Sequence, residues 1–214
     1  MSGKFITFEG PEGGGKTTQM RLLAEYLDKN GVPHITTREP GGPPISEQIR
    51  EIILDPENSA MTDRTELLLI IASRAQHTEQ LLMPALEAGK IVLCDRYSDS
   101  TMAYQVFGNE YDFEQTLNLC SMAAQGLVPD RTYLIDIDPK TGIERSRAVH
   151  KDTASKGTVD RMEAKNLKFH HRVREGFLKL AQREPDRFLV IDGGIPIEAI
   201  HKKIIEDITA FIGK

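Results

Sequence analysis

The sequence predicts an α/β protein built on one parallel sheet, and three observations support this class. Short apolar segments recur along the 214 residues, each followed by a longer stretch whose apolar side chains have helical spacing. The third such segment, Ile91 to Cys94, is apolar throughout, as expected of a strand covered on both faces. Apolar residues are 39% and charged residues 28% of the chain, an ordinary globular composition. We therefore treat residues 1–214 as one domain.

Five strands and the helices between them follow from these patterns. The strands are predicted at residues 5–8, 34–37, 91–94, 132–137 and 188–191. The helical stretches run through 22–27 up to Asn30-Gly31, through 45–53, from Asp63 to Gly89 with a bend at Pro84, from Asp112 to near Gly126, and through 197–211. Asp63 with Glu66 forms a capping pair, and Asp138-Pro139 is typical of a helix start.

Charge, hydropathy and cysteine content exclude several classes of protein. The formal net charge is −5 and no basic run covers a helix face, which argues against nucleic acid as the main partner. The longest apolar run is six residues, 67–72, whereas a membrane-spanning helix needs about 20. The chain begins without a secretory signal pattern, and Cys94 and Cys120 are expected to be reduced, buried thiols. We expect a cytoplasmic protein with no membrane partner.

A phosphate-binding loop follows the first strand directly. Residues 10–17 match the pattern G-x-x-x-x-G-K-T and precede a helix, the context in which this motif binds nucleoside triphosphates. Its glycines let backbone N–H groups turn toward an anion, and the helix N-terminus adds a positive dipole. The residues expected to hold the triphosphate are Gly10, Pro11, Glu12, Gly13, Gly14, Gly15, Lys16, Thr17 and Thr18. Lys16 is expected to bridge the β- and γ-phosphates, and Thr17 to bind Mg²⁺.

The loop alone does not distinguish a kinase from a motor ATPase or a GTPase switch. No Asn-Lys pair occurs in the chain, so the N-K-x-D guanine signature is absent. A motor usually needs a larger domain, which favours a small-molecule kinase. Residues 146–160 are polar, small and basic without an apolar period, and they predict either a solvated surface loop or a mobile lid over the phosphates, at approximately 145–161.

Several motifs together resemble bacterial thymidylate kinases, members of the P-loop nucleoside monophosphate kinase family. The matching stretches are Phe8 to Thr18, Thr37 to Gly42, Ala72 to Arg74, Cys94 to Tyr97 and Ala103 to Gln105, and the likeness extends over the whole chain. The resemblance implies a five-stranded parallel sheet flanked by helices on both faces, with a mobile lid. It also implies a homodimer that transfers the γ-phosphate of ATP to dTMP, with ATP and Mg²⁺ required. Another monophosphate acceptor, dUMP or a guanine nucleotide, remains the alternative, as does a nucleotide-binding module without turnover.

Three residues can be interpreted before the resemblance is applied. Arg74 shares the apolar helix face of Leu67, Ile70 and Ile71, so it is either paired in the interior or lines a cleft, and we favour the cleft. Asp95 and Arg96 follow a buried strand, at the sheet edge where open α/β folds bind ligands.

The resemblance assigns roles to these and other residues. It makes Arg96 a phosphate clamp and Asp95 a carboxylate on the Mg²⁺ side or one that orients an arginine. The acceptor nucleotide is expected to contact Glu12 through its sugar hydroxyl, together with Glu39, Arg50, Ile70, Arg74, Arg96, Thr101, Tyr104 and Gln105. For Tyr104 a core-packing role is nearly as well supported. Because the phosphate-binding loop carries Glu12 and no arginine, the catalytic arginine is expected from the lid: Arg147, Arg145 or Arg161.

The chain also departs from the family pattern. Many relatives carry a phenylalanine that stacks on the base, where this chain has Ile70 or Ile71. After Gln105 the chain continues Val106-Phe107 instead of a glycine-rich loop with an arginine, and Phe107 is the ring available to compensate.

Overall fold

One parallel sheet organises the molecule. The computed structural model describes residues 3–152, 161 and 165–212, with 149–152 described as backbone only. Within these residues the five strands are Lys4–Glu9 (β1), His34–Arg38 (β2), Ile91–Asp95 (β3), Arg131–Asp136 (β4) and Phe188–Asp192 (β5). They pair in the order β2-β3-β1-β4-β5, all parallel. The predicted fold class is confirmed, and no strand end differs from its predicted position by more than one residue.

Helices cover both faces of the sheet. In the described residues they are Lys16–Lys29 (α1), Pro44–Leu54 (α2), Asp63–His77 (α3), Met83–Glu87 (α4), Ser98–Thr101 (α5), Phe113–Ala123 (α6), Pro139–Asp152 (α7), Leu167–Arg183 (α8) and Ile197–Ile212 (α9). A π-helical turn, Thr78–Leu82, joins α3 to α4, and another, Met102–Gly108, follows α5. The π-helical turn at 78–82 lies just before Pro84. Proline has no N–H to donate, and its ring clashes with the carbonyl four residues earlier, so the regular helical hydrogen bonds are interrupted there. No helix of the described residues is long and apolar enough to span a membrane.

Two local expectations need correction, and one helical segment was missed. Helix α3 is capped by Thr62, whose Oγ1 accepts from the Thr65 N–H at 3.2 Å, so Asp63 is the first helical residue and not the cap. Helix α7 continues to Asp152, and Arg147 and Ala148 are strong helix formers within it, so 146–152 is not an irregular loop. The remaining lid positions, 153–160, lie outside the described residues. The helical segment 98–108 was not anticipated at all.

The core lies in two layers, one on each face of the sheet. On one face, side chains of β1, β4 and β5 pack against α1 and α9 through residues such as Leu23, Leu27 and Ile204. On the other face, α3, the π-helical turn at 102–108 and α8 enclose Ile71, Phe169 and other apolar side chains. Phe8 of β1 is in register with Asp95 of β3, so the carboxyl ends of these central strands lie side by side. The site is built at this edge.

Candidate active site

The phosphate-binding loop connects β1 to α1, as predicted. Its backbone turns at Gly10, Gly13 and Gly15, which have φ of +135°, +66° and +93°, a region that L side chains rarely adopt. The loop closes around the ammonium of Lys16, whose Nζ donates to the carbonyl of Pro11 at 2.7 Å. Burial, together with the charge of Arg96, lowers the pKa of Lys16 to about 8. An anion between these groups would favour the charged ammonium.

The first turn of α7 presses on this loop. A Cβ on Gly13 would lie 2.0 Å from the carbonyl oxygen of Gly142, and a Cβ on Gly142 would lie 2.2 Å from that of Glu12. Only two glycines permit this approach of backbone to backbone. Gly142 was not expected to matter, since one glycine in a polar helix carries no recognisable signal.

Two cavities open at the carboxyl ends of β1 and β3. The larger, of about 1230 Å³, is lined by the loop from Glu12 to Thr18, by Asp95, by Arg145 and by residues 193–197 after β5. The smaller, of about 150 Å³, is lined mainly by residues of α2, α3, α5 and the turn that follows α5: Ile53, Leu54, Ile70, Arg74, Thr101, Tyr104 and Gln105. Both cavities are lined by Glu12, Glu39, Arg50 and Arg96.

The wall between the cavities is an ion pair. Arg96 Nη2 donates to Glu12 Oε1 at 2.7 Å, and the hydroxyl of Tyr104 donates to the same oxygen at 2.9 Å. Arg96 also donates to the Gly10 carbonyl and to Ser100, and its φ of +69° turns its side chain back over the phosphate-binding loop. Although burial opposes ionisation, Arg96 and Lys16 lower the pKa of Glu12 to about 2. Glu12 is therefore ionised at neutral pH.

A second, fully buried network supports the smaller cavity. Arg74 donates through Nε to Glu39 Oε2 at 2.8 Å and through Nη2 to Thr101 Oγ1 at 2.9 Å. The other Glu39 oxygen lies 2.9 Å from His77 Nδ1, whose Nε2 lies 2.7 Å from Thr37 Oγ1. Arg74 is thus paired in the interior and is also part of a cavity wall, so both of the roles considered from the sequence apply. Sequence reasoning missed His77, although it lies three residues after Arg74 on the same helix face.

Two carboxylates close the base of the site. Asp95 accepts from the Thr17 hydroxyl at 2.5 Å, which brings the predicted metal ligands together. Glu9, which was not anticipated, accepts from the Tyr97 N–H at 2.7 Å and from the Ser100 hydroxyl at 2.5 Å. Burial and the nearby Asp99 raise the pKa of Glu9 to about 8.

The lid arginines do not converge on one point. Arg145 lines the larger cavity and donates to the carbonyl of Gly193 at 2.8 Å. Arg147 is exposed on α7 and belongs to neither cavity lining. Arg161 donates to Glu66 Oε2 at 3.1 Å, on the far side of the smaller cavity.

The aromatic ring proposed as compensation lies elsewhere. Phe107 packs on α8, where a Cβ on Gly176 would lie 2.6 Å from its ring, and it contributes nothing to the smaller cavity. Phe107 is therefore not placed to compensate for the missing ring. Ile70 lines the cavity, whereas Ile71 is buried in the core, so position 70 faces the ligand space.

A parallel sheet, a glycine-rich anion loop and two cavities joined by an arginine define a P-loop kinase acting on a small phosphorylated acceptor. The family model described as thymidylate kinase matches residues 8–204. A thymidylate kinase of Pelobacter propionicus is 48% identical, and one of an Exiguobacterium species is 46% identical, each over 96% of this chain and 94% of its own length. The crystal structure of thymidylate kinase from Ehrlichia chaffeensis matches with a TM-score of 0.76 and 34% identity, over 98% of this chain and 99% of that one. The chain belongs to the thymidylate kinase family.

Proposed function

We propose that this chain transfers the γ-phosphate of ATP to dTMP, giving ADP and dTDP for dTTP synthesis. One observation carries the proposal: a triphosphate-binding cavity and a smaller, partly apolar cavity meet at Arg96 and Glu12. Family membership identifies the acceptor as dTMP and does not favour dUMP or a guanine nucleotide.

The larger cavity takes the donor. The backbone N–H groups of the loop and the N-terminus of α1 receive the phosphates, as anions bind at helix N-termini. Lys16, already aimed into the loop through the Pro11 carbonyl, moves onto the β- and γ-phosphates. Thr18 lines the same cavity next to Thr17.

The smaller cavity takes the acceptor. Ile70, Ile53 and Leu54 give an apolar wall that suits the thymine methyl, and the polar edge of the base faces Thr101 and Gln105. Arg74, Glu39 and Arg50 complete the pocket, and Tyr104 covers the sugar side with Glu12, whose ionised carboxylate accepts from the sugar hydroxyl.

The reaction needs charge compensation more than a strong base. The acceptor phosphate is largely dianionic at pH 7, and one of its oxygens attacks the γ-phosphorus of ATP. The bond between the γ-phosphorus and the oxygen that bridges the β- and γ-phosphates breaks, and ADP leaves. The obstacle is repulsion between two anionic groups. Arg96 lies in the wall common to both cavities, and Lys16 lines the donor side, so both cations are placed to reduce that repulsion.

The end of β3 suits a magnesium ion. Thr17 and Asp95 offer a hydroxyl and a carboxylate oxygen, the hard donors that Mg²⁺ prefers, and such sites are usually completed by water and phosphate oxygens. In the described residues no group of three or more His, Cys, Asp or Glu side chains could hold a metal alone. We propose Thr17 and Asp95 as the protein ligands, and Mg²⁺ when bound would offset phosphate charge.

The lid arginines remain proposals to be separated by kinetics. Arg147 is our first choice as the transition-state arginine, and Arg145, held at Gly193, is the second. Replacing the true one by alanine should lower kcat by about 10³–10⁵-fold with little effect on the KM of either substrate. If both variants stay within about tenfold of the wild type, neither Arg145 nor Arg147 is the catalytic arginine.

We also propose a cytoplasmic homodimer. Exposed apolar side chains lie on three neighbouring helices: Ile45 and Ile52 on α2, Leu68 on α3 and Leu117 on α6. Such a surface fits an interface between copies of the chain. Sedimentation of the wild type and of Leu68→Glu tests it: the wild type should be dimeric and the variant should dissociate. A monomeric wild type would contradict the proposal.

ADP release with a panel of monophosphates tests the activity. Purified enzyme with ATP and Mg²⁺ should turn over dTMP with the highest kcat/KM, dUMP less well by about 10–200-fold, and dGMP hardly at all. Lys16→Ala is the control for contaminating kinases. Equal rates with dTMP and dUMP, or a preference for dGMP, would overturn the acceptor assignment.

A further inference from the structure

A carboxylate is buried behind the smaller cavity, and the proposed reaction does not use it. Glu66 of α3 is 0% exposed. Its Oε1 accepts from Gln105 Nε2 at 2.9 Å, and its Oε2 accepts from Arg161 Nη1 at 3.1 Å. Within the described residues, Arg161 is the cation that pairs with Glu66. A buried carboxylate is costly unless it is paired, so Glu66 depends on Arg161.

Arg161 joins two walls of the cavity. The same Nη1 donates to the carbonyl of Ile53 at 2.8 Å, and the side chain of Arg161 is only 10% exposed. Ile53 and Gln105 both line the smaller cavity, from the end of α2 and from the turn after α5. Arg161 itself lines neither cavity. Arg161 therefore contacts residues that form the walls of the acceptor pocket, and it does not contact the bound nucleotide directly.

The carboxylate determines how Gln105 presents its amide. An ionised carboxylate can only accept, so the Gln105 nitrogen must face Glu66 and the oxygen must face the other way. That oxygen accepts from Asn109 Nδ2 at 2.7 Å. The side chain of Gln105 is 0% exposed, which leaves it no alternative rotamer in contact with water. The position of the Gln105 amide therefore depends on Glu66, and the position of Glu66 depends on Arg161.

We propose that Arg161 is a positioning residue for recognition of the acceptor base, not a catalytic arginine. It holds the Glu66 carboxylate in place, and Glu66 fixes the orientation of the Gln105 amide. The second N–H and the second lone pair of that amide are then directed at a pyrimidine edge. The inference rests on the proposed function, since it takes the smaller cavity as the site of the monophosphate. It replaces the catalytic role that the family resemblance suggested for this position.

Steady-state kinetics of Arg161→Met tests the proposal. The KM for dTMP should rise at least about tenfold, while kcat and the KM for ATP stay within about threefold of the wild type. Adding Glu66→Gln should bring the KM for dTMP partly back, since the double variant leaves no unpaired buried charge. The matched control is Lys165→Met, which removes a half-buried ion pair to Asp63 at 3.2 Å on the same segment, and should leave all constants unchanged.

The outcomes are separable. A fall in kcat of about 10³-fold with unchanged KM would make Arg161 a transition-state residue and overturn the inference. Unchanged constants with a lower melting temperature would assign it a purely structural role and overturn it too. If Arg161→Met does not fold, the comparison passes to the double variant and Arg161→Lys, of which only the lysine variant should keep a low KM. If the wild type prefers another monophosphate, the proposed function fails, and the same KM split measured with that substrate still decides the role of Arg161.

Discussion

Replacing Gly142 by alanine should displace the phosphate-binding loop. The added Cβ would lie 2.2 Å from the carbonyl oxygen of Glu12, whereas unstrained contacts are roughly 3.5 Å. The two backbones must therefore separate by about 1 Å. A misplacement of that size costs about 10²-fold in rate when it moves groups that position a substrate, so we expect kcat/KM for ATP to fall by about that factor.

Helix propensity alone predicts that Gly142→Ala stabilises the protein, which is the opposite of the expected effect, so the variant is informative. Alanine is favoured over glycine inside a helix by about 1 kcal/mol, so without the contact α7 would become more stable. The assay is ADP release with varied ATP, alongside thermal unfolding. Thr141→Ala is the control, because Thr141 is exposed on the same turn and only its backbone N–H contacts Asp138. Wild-type kinetics with a raised melting temperature in Gly142→Ala would refute the reasoning.

Four further variants test other parts of the molecule. Lys16→Ala should nearly abolish transfer with an unchanged circular dichroism spectrum, and substantial activity would contradict its role at the phosphates. Ile70→Phe should lower the KM for dTMP because Ile70 lines the cavity, whereas Ile71→Phe should overpack the core and cost about 1–3 kcal/mol in a denaturant titration. The pKa of Glu9 is raised from 4.5 to about 8, so its contribution to stability is lost as the pH rises toward 8. The wild type should therefore lose stability between pH 5 and pH 8, whereas Glu9→Gln carries no titrating group at this position. The melting temperature of the variant minus that of the wild type should increase over this range, and a difference that stays constant would show that Glu9 titrates normally.

The sheet and the phosphate-binding loop could be predicted because their signals are local. A strand buried on both faces is apolar along its whole length, as Ile91 to Cys94 are. The loop needs glycines at fixed spacing before a lysine, and these are consecutive in the chain. The positions of Asp95 and Arg96 at the sheet edge then follow from the parallel topology, whereas the order of the strands does not, since parallel sheets occur in several orders.

The buried charges could not be predicted in the same way. Whether Glu66 caps a helix or lies in the core depends on Arg161, which is far along the chain, and short-range patterns favoured the cap. His77 is buried because it meets Glu39 and Thr37, neither of which marks it in the sequence. Phe107, two residues after Gln105, was the ring available to compensate for the missing one, but the wide turn that carries both residues directs it onto Gly176.

The division of the site into two cavities with one shared wall has an evolutionary consequence. Substitutions at Glu12 or Arg96 alter both halves at once, since these residues line both cavities. Ile53, Ile70 and Gln105 line only the smaller one. Substitutions at these few positions can therefore change which monophosphate is accepted, while the residues that bind the triphosphate stay the same. A scaffold arranged in this way is suited to diversification after gene duplication, because a copy can acquire a new acceptor without first losing its donor.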